Sequence, residues 1–179
     1  QAIILGIVQA LTEYLPVSSS AHIRIIGDLM LGADPGAAFT AIIQIGTELA
    51  VILYFRRDII NILSHWFGCL FGKNGPDWRA RMGRGDKYAT LGWNVIVGSI
   101  PIIILGFTLQ NIIETSLRNL WITVTVLFLF GLLLWIVDAR SRQIKTMDDM
   151  NYRDAFLFGL GQSMALIPGV SRSGGTITV

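Results

Sequence analysis

Leu15-Pro16-Val17-Ser18-Ser19-Ser20 and Ile167-Pro168-Gly169-Val170-Ser171-Arg172-Ser173-Gly174-Gly175 interrupt two otherwise apolar stretches, residues 2–32 and 154–179. Proline lacks the N–H that a helix needs and disfavours helical backbone in the residue before it, so each stretch reads as half-helix, turn, half-helix. The surroundings make these breaks informative. Of the 179 residues 53% are hydrophobic and 15% charged, and the mean hydropathy is +0.59. A soluble domain carries about 25% charged residues. The chain therefore belongs in a bilayer, where non-helical backbone survives only if it is buried in protein or lines a cavity. Two breaks in one small chain point to one cavity.

Outward from the breaks, three segments are long enough to cross as plain helices: Gly36 to Phe55, Tyr88 to Ile113, and Asn119 to Val137. Their loops set an orientation. The first connection carries Arg56, Arg57, Lys73, Arg79, Arg81, Arg84 and Lys87 against Asp58, Asp77 and Asp86, and is expected in the cytoplasm. The next holds only Glu114 and Arg118 and is expected outside. The third, with Arg140, Arg142, Lys145 and Arg153, is expected inside. Within the first connection, Ile59 to Phe71 is apolar on part of its circumference and predicts an interfacial helix, with His65 as a surface group on it. A net charge of +2 gives no reason to expect a nucleic-acid partner, and the single Cys69 excludes an internal disulfide or a multi-cysteine zinc site. Gln1 and Val179 both lie inside apolar runs, so a fragment is expected.

The two breaks are related. At a constant offset of 153 positions Gly6 matches Gly159, Gln9 matches Gln162, Val17 matches Val170, Ser18 matches Ser171 and Ser20 matches Ser173. Because the first broken segment ends outside and the second begins inside, the copies are expected to be inverted. The expected fold is an all-α, polytopic membrane helix bundle of one domain, 1–179, with inverted repeats. The first repeat begins with the broken helix 2–32 and the second with the broken, truncated helix 154–179. The two re-entrant breaks meet near the midplane, where such repeats place binding sites.

Gly6, Gln9 and Glu13 fall on one face of the first half-helix. An ionisable Glu13 inside a membrane protein marks a function by default, unless it pairs with a buried arginine. Glu48, four residues after Gln44, is either a second such group or a pairing device. Ser18, Ser19 and Ser20 precede His22 at the start of the second half-helix, whose free N–H groups favour anions. Alone, the serines need do no more than cap that helix. The second break, however, repeats the hydroxyls with Ser171, Ser173 and Thr176, exposes backbone at Gly169, Gly174 and Gly175, and adds Arg172, a fork of donors suited to phosphate. A carboxylate beside a polyanion is repelled unless it is protonated or a cation bridges them. Magnesium or calcium, bound by Glu13 and Gln9, resolves the conflict.

Gly6-Ile-Val-Gln9-Ala-Leu-Thr-Glu13-Tyr-Leu-Pro16-Val-Ser18-Ser19-Ser20-Ala-His22, with Ile43-Gln44-Ile45-Gly46 and Pro168-Gly169-Val170-Ser171-Arg172-Ser173-Gly174-Gly175-Thr176, resembles the undecaprenyl-diphosphate phosphatase family, also called the bacitracin-resistance protein family. The match runs through nearly the whole chain, and family members continue beyond the second motif. The resemblance implies an acid anhydride hydrolase that converts undecaprenyl diphosphate to undecaprenyl phosphate and phosphate. It would recycle the cell-wall lipid carrier in a multi-pass protein of the bacterial plasma membrane. It puts the catalytic serine and histidine on Ser19 and His22, the phosphate grip on Arg172 and the metal on Glu13 and Gln9, where many members have Glu in place of Gln9. Substrate contacts then fall to Ser18, Ser20, Ser171, Ser173, Gly174 and Thr176, and the partners are the polyprenyl diphosphate and the bilayer, with a homodimer admitted. His22 can activate Ser19, attack directly or activate water. The competing class is a polyprenyl-phosphate transporter or flippase built on the same electropositive pocket.

The charge pattern predicts that, once Cys69 is replaced, a single cysteine at Asn74 in intact cells resists an impermeant label applied from outside. One near Glu114 takes it. Preferential outside labelling at Asn74 overturns the orientation and the inversion argued from it.

Overall fold

The computed structural model describes residues 1–115, 119–141, 146 and 149–179. Arg118, Arg142 and Lys145, three of the loop charges used above, lie outside the described residues, as does the side chain of Glu114. Helices in chain order are α1 (Ala2–Thr12), α2 (Ser19–Leu31), α3 (Ala37–Tyr54), α4 (Arg56–Leu70), α5 (Trp78–Arg81), α6 (Lys87–Thr108), α7 (Gln110–Thr115), α8 (Leu120–Arg140), α9 (Tyr152–Ser163) and α10 (Arg172–Ile177), with a 3₁₀ turn at Met164–Leu166. There is no strand among the described residues. The protein is an all-α membrane bundle.

Three helices, α3, α6 and α8, are long and apolar enough to cross a membrane, at 18, 22 and 21 residues. At about 1.5 Å per residue they reach roughly 27–33 Å, matching a hydrocarbon core of about 30 Å. Their lipid-ready surfaces are bare: Phe107 is 85% and Trp121 80% exposed. The second span ends sooner than its apolar composition suggests. Helix α6 stops at Thr108, whose hydroxyl donates to the Ile104 carbonyl, and the chain restarts as α7. The predicted interfacial helix is α4, and it is clasped to the start of α6. The His65 Nδ1 lies 2.8 Å from Asp86 Oδ2, while Asp86 Oδ1 accepts from Ala89 N and so caps α6. Burial works against the Asp86 carboxylate, yet the hydrogen bonds from His65 and Ala89 outweigh it and hold its pKa below the usual value. Burial also pushes the neighbouring Cys69 thiol up. Trp66 of α4 meets Trp93 of α6 edge-on, with centroids 5.3 Å apart.

Both apolar stretches are broken where the prolines predict. Residues 13–18 separate α1 from α2, and the segment from the 3₁₀ turn to Ser171 separates α9 from α10. Helix α9 starts with a reciprocal cap in which Asn151 Oδ1 accepts from Arg153 N and Asp154 N while Asp154 Oδ2 accepts from Asn151 N. It then packs along α6 with backbone touching backbone: a Cβ added at Gly159 would run into the Gly98 carbonyl. Small residues at such a crossing let membrane helices approach without a hydrophobic drive between them. The second break rests on α8. There Gly169 has φ +105°, and a Cβ on it would lie 2.6 Å from the Thr123 carbonyl oxygen, so this turn needs glycine both for its backbone and for its neighbour.

Gly159→Ala therefore drives α6 and α9 apart. The expected cost is about 1–3 kcal/mol, typical of overpacking, read as a lower midpoint of unfolding in denaturing detergent.

Candidate functional site

The two breaks touch each other directly: Ser173 Oγ donates to the Leu15 carbonyl at 3.1 Å. The first is also tied to α3, because Tyr14 Oη donates to the Thr47 carbonyl at 2.7 Å. Between them lies a cavity of about 150 Å³ whose wall includes Gln9, Glu13, Ser18, Ser19, Ser20, Ser171 and Arg172. A larger groove of about 620 Å³ shares Glu13 and Arg172 with it and runs past Glu48, Val51, Ile52, Ser173 and Thr176. Most of the residues singled out in the sequence thus converge.

Their hydrogen bonds assign local roles. Glu13 Oε2 accepts from Gln9 Nε2 at 2.8 Å and from Ser19 Oγ at 2.5 Å. No arginine pairs with Glu13 among the described residues, so the plain ion-pair explanation of that carboxylate does not apply. Gln9 is 1% exposed, and its Oε1 is buried with no hydrogen-bond partner. Arg172 is half-exposed, with Nη1 3.9 Å from Glu48 Oε1, and Glu48 Oε1 also accepts from Gln44 Nε2 at 2.9 Å. That loose pairing settles Glu48 as a neighbour of Arg172 across the groove.

The serines behave differently in the two breaks. Ser18 is buried with φ 62°, the one left-handed non-glycine among the described residues, and at the N-cap of α2 its side chain makes no capping bond. The first-turn N–H groups of α2 thus face the break without a side-chain acceptor, a ready anion site. The expectation that a serine caps this helix is met only in the other copy, where Ser171 Oγ accepts from Gly174 N at 3.3 Å. That bond occupies the Gly174 N–H, and Gly174 is off the cavity wall. Thr176 donates to the Ser173 carbonyl at 2.9 Å but stays on the groove. The hydroxyl pairs nevertheless match: Ser18 Oγ and Ser20 Oγ are 3.2 Å apart, Ser171 Oγ and Ser173 Oγ 3.0 Å.

His22 departs most from the sequence reading. It is half-buried and on neither cavity wall, and its Nδ1 lies 2.9 Å from the Ser18 carbonyl oxygen. A carbonyl only accepts, so Nδ1 carries a proton and donates to it. Ser19 is bonded to Glu13 and not to His22. Residues that sequence reasoning missed are Tyr14 and Thr47, which lash the break to α3, and Thr40, which completes a polar stripe Thr40, Gln44, Glu48 at every fourth position of an apolar helix. Extending the Gln44–Glu48 spacing one turn back finds it.

The family model of the bacitracin resistance protein BacA matches residues 2–179. Proteins named undecaprenyl-diphosphatase are similar along the whole chain. That of Bifidobacterium longum subsp. infantis is 89% identical over 179 residues, all of this chain and 61% of that protein. The relative from Bifidobacterium adolescentis is 71% identical over 178 residues, 99% of this chain and 60% of that protein. The one from Micrococcus luteus is 54% identical over 178 residues, 99% of this chain and 61% of that protein. The chain spans about three-fifths of the length of these curated relatives.

Arg172→Lys keeps the charge and loses the paired donors. In the full-length protein it should weaken inorganic pyrophosphate binding about tenfold, the scale of one charge-assisted hydrogen bond, with unfolding unchanged. Equal binding excludes Arg172 as the clamp.

Proposed function

We propose that this chain, which belongs to the bacitracin resistance protein BacA family, carries the reaction centre of a membrane phosphatase that hydrolyses undecaprenyl diphosphate to undecaprenyl phosphate and inorganic phosphate. The enzyme would be a multi-pass protein of the bacterial plasma membrane, recycling the cell-wall lipid carrier and so opposing bacitracin. The observation that carries this reading is the Ser19 hydroxyl held 2.5 Å from Glu13 in a cavity walled by Arg172. A hydroxyl, a base and a phosphate grip in one cavity make a reaction centre, whereas a transporter needs only the grip. The shared names of the relatives agree with it.

In this reading the diphosphate replaces Glu48 at the Arg172 fork, and the α2 N–H groups take further oxygens. The prenyl chain leaves along the groove past Val51 and Ile52. Glu13 accepts the Ser19 proton as Ser19 Oγ forms a bond to the terminal phosphorus, and the bridging P–O bond breaks to release undecaprenyl phosphate. Water then attacks the phosphoserine phosphorus, and the proton held by Glu13 returns to Ser19 Oγ as its P–O bond breaks, releasing phosphate and restoring the carboxylate. The hydrogen bond from Ser19 to Glu13 favours Ser19 over His22 as nucleophile. His22 then serves the left-handed turn, holding the Ser18 carbonyl from which α2 starts. The two breaks are read as re-entrant and inverted, an arrangement supported by the matched hydroxyl pairs.

Magnesium or calcium fits the donor set: the Gln9 Oε1 is a buried acceptor in want of a partner beside the Glu13 carboxylate. Among the described residues no three His, Cys, Asp or Glu side chains gather around it. Gln9 and Glu13 would therefore hold the ion together with substrate phosphate oxygens, the usual style of magnesium. When bound, it would neutralise phosphoryl charge.

Full-length protein in detergent should release phosphate from a polyprenyl diphosphate with magnesium or calcium, and a chelator should abolish release. Ser19→Ala and Glu13→Gln should each lower turnover by at least about 10²-fold. Undiminished turnover in chelator removes the metal. A trapped phosphohistidine with partial activity in Ser19→Ala transfers the nucleophile to His22, wild-type turnover in both Ser19→Ala and His22→Ala removes both nucleophile assignments, and no phosphate release from the wild-type protein leaves the transporter.

A further inference from the structure

A second cavity, about 220 Å³, adjoins the reaction centre on the side toward the α2–α3 turn, and Ser20, Thr40 and Ala165 line both. Its wall carries a cation that the chemistry above does not use. Arg24 lies one turn beyond Ser20 on α2, on the same face. Its Nε and Nη1 atoms are shut off from solvent and make no hydrogen bond. Asp34 is opposite, but Nη1 to Oδ2 is 3.4 Å, well beyond the roughly 2.7–2.9 Å of a charge-assisted hydrogen bond. Buried guanidinium donors are almost always satisfied, so an unfilled pair on a residue that lines a cavity marks a missing acceptor. A water fills one donor, whereas a tetrahedral oxyanion matches a fork with two oxygens and also meets the positive charge.

We propose that this cavity binds inorganic phosphate on its way out of the reaction centre, with Arg24 as its ligand and Asp34 as the group it displaces. The inference rests on the phosphatase reading, because that reaction generates a free phosphate beside Ser20. Undecaprenyl phosphate has the groove beside Val51 and Ile52. Phosphate has a separate way out: past Ser20 to Arg24 and the turn that holds Asp34, which the loop charges put outside the cell. Asp34 keeps the guanidinium within reach at rest, and the distance between them makes the exchange for phosphate easy. The same pairing makes the site reversible, since a phosphate held by a fully bonded fork would not leave.

The test is product inhibition of the full-length enzyme by inorganic phosphate. Arg24→Gln should raise the inhibition constant about tenfold, Arg24→Lys by less, and Asp34→Asn should lower it about threefold by freeing the fork. Opposite signs are required: if the ion pair merely fastens the α2–α3 turn, both substitutions weaken phosphate binding alike, and the proposal fails. It fails equally if Arg24→Gln leaves the inhibition constant unchanged, or raises only the KM for the lipid, which would make Arg24 a subsite for the intact diphosphate. Should the wild-type protein release no phosphate, the phosphatase reading falls, and equilibrium binding of radiolabelled phosphate decides the Arg24 site separately. Weaker binding in Arg24→Gln than in wild type upholds it, and equal binding removes it.

Discussion

Backbone carbonyls freed where a helix stops inside a membrane protein must find donors without help from water, and the first break depends on how that is done. The Leu15 carbonyl takes the Ser173 hydroxyl, Tyr14 in the turn donates to the Thr47 carbonyl within α3, and the Ser18 carbonyl takes both the His22 backbone N–H and its ring Nδ1. Each partner comes from a different place: the second break, the turn itself, and the helix that follows. Satisfying the backbone thus assembles the cavity. Loss of the Ser173 bond leaves the Leu15 carbonyl without that partner, at about 1–3 kcal/mol, and also lets one wall of the cavity move.

That scaffold holds unlike charges slightly apart. Glu13 is engaged by neutral donors, Gln9 and Ser19, and among the described residues the Arg172 guanidinium has the distant Glu48 as its one carboxylate. Had Glu13 and Arg172 closed into a tight pair, neither the guanidinium fork nor the carboxylate would be open to a ligand. Keeping them on one wall but bonded elsewhere leaves a fork for an anion and a carboxylate for a proton or a cation. The left-handed Ser18 contributes to the same end. Left-handed backbone at a non-glycine residue is strained and persists where surrounding structure imposes it, and here it starts α2 without a side-chain cap.

The sequence made the helical membrane fold legible because length, hydropathy and proline act locally: the three spans and both breaks lie within a few residues of their expected bounds, except that α6 ends at Thr108. Glu13, Gln9, Ser19 and Arg172 stood out as candidate site residues because polar groups are costly among apolar neighbours, and the four share one cavity wall. What pattern could not give was pairing. Ser19 and His22 are close enough along a helix to suggest a base and its nucleophile, yet Ser19 reaches back six residues to Glu13 across a turn whose path depends on Ser18. Tyr14 was missed because an aromatic beside a proline looks like an ordinary apolar residue, and its function is a contact 33 positions away.

Under the proposed reading, the sequence repeat accounts for a nucleophile and a clamp in one cavity. At the offset of 153 that pairs Ser18 with Ser171 and Ser20 with Ser173, Ser19 falls opposite Arg172, Glu13 opposite Leu166 and His22 opposite Gly175. Equivalent positions have taken complementary chemistry. The copy with Ser19 has Glu13 six residues before it, bonded to the Ser19 hydroxyl, and the copy with Arg172 has leucine at the matching position, so no carboxylate of its own competes for the guanidinium. Gly175 in place of histidine fits closer packing: a Cβ there would strike the Gly161 carbonyl, so α10 lies directly on α9 and Arg172 projects from a rigid corner. The copy with His22 instead leaves its turn open and uses the imidazole to hold the Ser18 carbonyl. Two equal copies would present two grips or two nucleophiles, whereas the proposed hydrolysis at one phosphorus needs one of each.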